Sequence, residues 1–147
     1  MNDATLIARA LEARAMAYVP YSGFAVGAAL LTKDGQIYTG CNIENAAYGP
    51  ANCAERTAFF KAVSEGVYDF EAIAVVGGPA GKPAAEFCSP CGICRQVMRE
   101  FCDQHSFRVI LGKEPIEGQS YLLEELLPQG FGPENLGMPH PATHHEE

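Results

Sequence analysis

Cys53-Ala54-Glu55 and, further along, Pro90-Cys91-Gly92-Ile93-Cys94 constrain this chain more than any other feature in it. Three cysteine sulfurs are soft ligands suited to one ion, whereas the Glu55 carboxylate is a hard group that is no match for them as a fourth. The set describes a zinc ion with an open coordination position and a general acid/base beside it. A fold that uses it must bring two distant segments to one point. Each segment reads as a helix start: Pro90 suits such a start, and Cys53 and Glu55 open the apolar run from Ala54 to Val63. First-turn N–H groups and the positive helix end favour thiolates at both places.

Zinc with three thiolates carries a net negative charge and is a poor Lewis acid unless charge is drawn off the sulfurs. Arg56, directly after Glu55, is the cation best placed to do so by hydrogen bonding to a thiolate. A solvated helix arginine is the plainer reading of the same residue.

The chain has six cysteines and no secretory pattern, which favours reduced thiols and metal binding over a disulfide framework. Cys41 and Cys102 read as small packing residues. Cys88 is ambiguous: with Cys53, Cys91 and Cys94 it would make four thiolates, enough to close a structural zinc or hold an iron–sulfur cluster. Against this, Pro90 should leave Cys88 in the loop before the helix, and four closed ligands leave Glu55 unexplained.

The order Cys-Ala-Glu-Arg, then Pro-Cys-x-x-Cys, is the three-cysteine form of a zinc deaminase signature in which the glutamate is not a ligand. The chain resembles the cytidine deaminases that act on free nucleosides. The matching residues include Tyr21-Ser22-Gly23-Phe24, Gly40-Cys41-Asn42-Ile43-Glu44-Asn45, Cys53 to Ala58, Ser89 to Gln96, and Leu126-Leu127-Pro128 with Phe131 beyond. They span Leu6 to Leu136. The resemblance implies a three-layer α/β/α fold with a five-stranded mixed sheet and a catalytic domain over residues 1–136. It implies deamination of cytidine and deoxycytidine to uridine and deoxyuridine in pyrimidine salvage, with Zn²⁺ held by Cys53, Cys91 and Cys94. Water attack at C4 would be served by Glu55, which moves a proton to N3 and then to the amine.

Substrate contacts rest on the same resemblance. Asn42 and Glu44 alternate past a strand end, so both side chains reach one groove, and the family's pair holds the ribose hydroxyls. Phe24 matches an aromatic that lines the nucleoside pocket, although an ordinary core phenylalanine would read the same way. The Cys91 N–H and the Ala54 carbonyl match groups that hold the base. Tyr48 and Phe131 match residues given to a neighbouring subunit's site, which implies a homotetramer with shared active sites.

Composition excludes other classes. The 147 residues suit one domain with a single core, and a net charge of −8 argues against a nucleic-acid partner, because polyanion binding needs clustered lysine and arginine. The N-terminal apolar stretch is broken by Arg9, Glu12 and Arg14, so neither a leader nor a membrane span is expected, and a cytoplasmic protein is. The acidic balance also disfavours an editor of polynucleotides. An antibiotic-directed cytosine deaminase would share the zinc motif but not need the Asn42-x-Glu44 pair, and a zinc-stabilised binding module would need Cys88.

Periodicity predicts an α/β order. Asp3 is the expected N-cap of a helix carrying Leu6, Ile7, Ala10, Leu11 and Met16. Phe24–Thr32 and Ile37–Asn42 read as a hairpin about Asp34-Gly35. Phe70–Val76 reads as a buried strand, Phe107–Leu111 as another, and Gln119–Leu122 as a strand antiparallel to it, followed by a short helix over Leu123–Leu127. The alternation through the Cys53 and Cys91 helices predicts parallel crossovers, with both helix starts at the carboxyl ends of strands. Residues 137–147, with three of the four histidines and no apolar period, read as a disordered tail with weak metal affinity at His144 and His145.

Overall fold

A computed structural model describes residues 2–141 of the chain. Helix α1 (Asp3–Arg14) is followed by the hairpin β1 (Phe24–Thr32) and β2 (Ile37–Cys41), then α2 (Ala54–Ser64) and β3 (Phe70–Pro79). Helix α3 (Gly92–Phe101), β4 (Arg108–Lys113), β5 (Glu117–Leu122), α4 (Leu123–Leu126) and a 3-10 turn at Pro133–Leu136 complete it. Asn2, not Asp3, caps α1: its side chain accepts from the Thr5 amide at 2.8 Å, while Asp3 turns to pair with Arg108 at 3.0 Å. The helix stops at Arg14, which leaves Met16 exposed rather than in the core.

The five strands run in the order β2-β1-β3-β4-β5, with β3 and β4 parallel and every other neighbouring pair antiparallel. Parallel crossover through α3 is as expected. The path through α2 differs: β2 and β3 point the same way, but β1 lies between them and pairs with both. The β1–β2 hairpin consumes the edge that a direct crossover would have used. Gly77, Gly78 and Pro79 do not end β3, because β1 continues its ladder to the pair Phe24 and Pro79.

The sheet is covered on both faces. Leu6, Ile7 and Ala10 of α1 pack on Ala29, Leu31, Ala74, Val76 and Ile110. On the opposite face Ala58, Phe59 and Ala62 of α2, with Cys94 and Met98 of α3, pack on Ala28, Leu30, Ile73, Val75 and Val109. Alternation along each strand sorts its side chains between the two layers. The metal-bearing helices thus share one face, and both start beyond the carboxyl ends of β2 and β3. Among the described residues no helix is long and apolar enough to cross a membrane.

Part of the segment expected to be disordered is described: Met138 N–H bonds the Pro133 carbonyl and His140 Nε2 meets the Phe101 carbonyl at 2.8 Å. The remainder, with His144 and His145, lies outside the described residues.

Candidate metal and nucleoside site

Cys53 and Cys91 are the N-cap residues of α2 and α3, and neither uses its side chain as a cap. Their extended backbone frees the sulfurs to face one another at 3.8 Å, and Cys94, one turn into α3, lies 3.5 Å from Cys91. All three sulfurs fall within 4.8 Å of each other. Tetrahedral ligands about 2.3 Å from a zinc ion stand roughly 3.8 Å apart, so the donors fit that ion in chemistry and in spacing. Cys88 is outside the group, in the loop before α3 as its position relative to Pro90 predicted.

The absence of a side chain at Gly40 on β2 is what lets α2 start here. A Cβ on Gly40 would stand 2.4 Å from the Ala54 carbonyl and 2.7 Å from the Ala58 nitrogen. The Ala54 carbonyl therefore faces β2, and the polar group that Ala54 leaves free at the helix start is its N–H. Thr57 ties the same turn to β2, its hydroxyl donating to the Cys41 or Cys53 carbonyl, each 3.1 Å away.

Arg56 Nη2 lies 3.2 Å from the Cys53 sulfur. Together with a hydrogen bond from Cys94, which is the larger cause, this draws the Cys53 thiol down to about 5. The same contact with Cys53, reinforced by burial, pushes Cys94 up. Glu55 is only 4% exposed, and burial above all, then the negative charge of Cys53, raises its carboxyl above the ordinary carboxylate value. A carboxyl displaced toward neutrality in this way can both accept and return a proton.

The other residues singled out in the sequence divide into two groups. Phe24 opens β1 on the metal-bearing face, and a Cβ on Gly77 would meet both its ring edge and the Cys88 sulfur, so the three converge. They line a cavity of about 620 Å³ with Gly78, Pro79 and Phe87. Burial, then the charges of Glu55 and Cys53, raises the Cys88 thiol and keeps it neutral.

Asn42 and Glu44 lie just past β2, as expected, but both already hold backbone. Asn42 Oδ1 accepts from Val26 N–H and its Nδ2 donates to the Phe24 carbonyl, each at 2.9 Å. Glu44 Oε1 accepts from the amides of Tyr21 and Ser22, and the hydrogen bonding from Ser22 lowers its pKa. A second Nδ2 hydrogen and the Oε2 oxygen give the pair capacity for a ligand as well.

Tyr48 and Phe131 stand apart from the cluster as exposed rings, 92% and 57% accessible. The backbone of Phe131 is nonetheless fixed, its carbonyl accepting from Gln96 Nε2 at 2.8 Å. Arg95 braces the same region, donating to Pro90 and Leu126 carbonyls and to the Ser89 hydroxyl. Arg95, Gln96 and Thr57 carry structural roles that spacing did not reveal, although all three lie inside the quoted motifs.

Residues 1–110 match the family model described as the cytidine and deoxycytidylate deaminase zinc-binding region. The chain belongs to this deaminase family. A cytidine deaminase of Sporosarcina psychrophila is 53% identical over 136 residues, covering 92% of this chain and 96% of that one. A cytidine deaminase of Halalkalibacterium halodurans is 52% identical over the same length, with 92% and 98% covered. In three dimensions, the crystal structure of the Burkholderia pseudomallei cytidine deaminase superposes with a TM-score of 0.80 at 46% identity, covering 89% of this chain and 100% of that one. As a member of the deaminase family the chain takes zinc as its cofactor, and Cys53, Cys91 and Cys94 lie within the matched region.

Proposed function

We propose that this deaminase hydrolyses cytidine and deoxycytidine to uridine and deoxyuridine with release of ammonia, as a step of pyrimidine salvage. The observation that carries the reading is the convergence of three cysteine sulfurs beside a buried glutamate whose carboxyl is raised toward neutrality. The relatives named cytidine deaminase over nearly the full chain support it.

Cys53, Cys91 and Cys94 would hold zinc, which supplies Lewis acidity and lowers the pKa of an attacking water. Glu55 accepts one water proton and delivers it to N3 of the cytosine ring, then takes the second from the hydroxyl formed at C4 and gives it to the departing amine, leaving a carbonyl. Water adds its oxygen to C4, the C–N bond breaks, and ammonia carries away the amino nitrogen, so atoms balance without a further reactant. Arg56 offsets the thiolate charge. The N–H groups of Cys91 and Ala54, left free at two helix starts, are suited to the base; for Ala54 the N–H replaces the carbonyl expected from the family, because that carbonyl faces Gly40.

Phe24 lines the nucleoside pocket, and Asn42 with Glu44 takes the ribose hydroxyls through its remaining hydrogen-bonding capacity. The exposure of Tyr48 and Phe131 supports their insertion into a neighbouring subunit, in a homotetramer with shared sites. Residues 1–136 form the catalytic domain, and the small neutral substrate and acidic balance suit a cytoplasmic enzyme with neither nucleic acid nor membrane as partner. Purified protein assayed for ammonia release should turn over cytidine and deoxycytidine. Glu55→Ala should abolish turnover while retaining about one zinc per chain, as a non-ligand must.

A further inference from the structure

The cavity beside Phe24 has a wall of strand ends: Phe24 and Gly77 face it from the metal-bearing side of the sheet, and Gly78 and Pro79 complete its rim. Phe24 pairs with Pro79 and Ala25 with Gly78 at the last rungs of the β1–β3 ladder. Terminal rungs fray unless something beyond the ladder holds them.

Arg14 lies behind this wall. It ends α1, on the opposite face of the sheet, and a basic residue there would ordinarily serve its own helix's terminal carbonyls. Its guanidinium instead spans the strand ends. Nε donates to the Ala25 carbonyl at 3.0 Å, and Nη2 lies 2.9 Å from the Gly78 carbonyl and 2.7 Å from that of Pro79. One planar group thus pins both strands across the rungs that carry Phe24 and the cavity rim. A planar fork can serve two chains at once, which a single ammonium cannot reproduce.

We propose that Arg14 is a positioning residue for nucleoside binding, fixing the Phe24 wall from the far side of the sheet without touching substrate. The inference rests on the reading of this cavity wall as part of the nucleoside site. Because neither Glu55 nor any of the three clustered sulfurs lines this cavity, loosening its wall weakens binding in the ground state and the transition state alike. That signature is a raised KM with kcat retained.

The test is steady-state kinetics of the full-length, zinc-loaded enzyme on cytidine, with Arg14→Met and Arg14→Lys. Arg14→Met is expected to raise KM about tenfold with kcat per bound zinc within about twofold, and Arg14→Lys to fall between it and the parent. A folded, zinc-loaded variant of either kind with the parent's KM overturns the inference. So does a fall in kcat alone, which a merely structural role would give through loss of active enzyme. If Arg14→Met does not fold, the KM of Arg14→Lys decides. A parent enzyme inert toward cytidine would instead refute the functional reading beneath it.

Discussion

Arg56 places a guanidinium nitrogen 3.2 Å from the Cys53 sulfur, so the residue after Glu55 compensates the residue two before Glu55. One helical turn carries the proposed metal ligand Cys53, the proposed acid/base Glu55 and a cation, with the cation returning to the sulfur. Replacing the guanidinium by a neutral amide returns charge to the sulfur and weakens the Lewis acidity of the bound metal. Arg56→Gln should lower kcat about 10–100-fold, the range typical for groups that hydrogen-bond a metal ligand. Zinc content by atomic absorption should stay near that of the parent.

Cys88 packs with Phe24 and Gly77 instead of joining the three-sulfur group. Cys88→Ala should therefore bind zinc with the parent's stoichiometry and remain active. Loss of metal in this variant would restore a four-thiolate site, and iron with sulfide in the purified protein would do the same.

The sequence made the metal site legible because cysteine and glutamate are rare enough, and chemically narrow enough, for their spacing to carry meaning. It also marked the strands well, since β3 is apolar nearly throughout and the Asp-Gly turn fixes the hairpin. The insertion of β1 between β2 and β3 was not legible, because strand order depends on which edges find partners and leaves no local pattern. The hold of Asn42 and Glu44 on the backbone was hidden for a related reason: hydrogen bonds to Val26, Phe24, Tyr21 and Ser22 come from folding and not from spacing. The backbone at Ala54 shows the same limit, since only the close approach of Gly40 reveals which of its polar groups is free.

Gly40 gives a packing prediction with a functional readout. Adding one methyl group drives it into the backbone of α2, and backbone cannot swing aside as a flexible side chain can. Gly40→Ala should cost about 1–3 kcal/mol in urea denaturation, the usual scale for overpacking. The displaced turn carries Cys53 and Glu55, so zinc affinity in a competition assay with a chelator should fall as well. An unchanged affinity would mean that α2 shifts as a rigid body with the sulfurs still in reach.

Arg99 on α3 is 5% exposed and meets Glu134 at 2.8 Å, while that carboxylate is 60% exposed. Among the described residues the Arg99 Nε has no hydrogen-bond partner, so Glu134 is the principal compensation for a buried cation. Removing one partner of a buried pair is costly, but water reaches this site from the Glu134 side and screens the loss. Glu134→Gln should therefore destabilise the protein by about 1–2 kcal/mol at neutral pH. The pH dependence has a defined sign. Hydrogen bonding to its own backbone, then the Arg99 contact and the charges of Arg99 and His140, lower the Glu134 pKa below the ordinary 4.5. Its contribution is complete above that value, where the carboxylate is ionised folded and unfolded alike, and is lost as pH falls through the lower folded value. Urea unfolding of parent and variant from neutral pH to below 4.5 should show the stability gap closing only at the acid end; a gap that persists there would assign the loss to packing instead of charge.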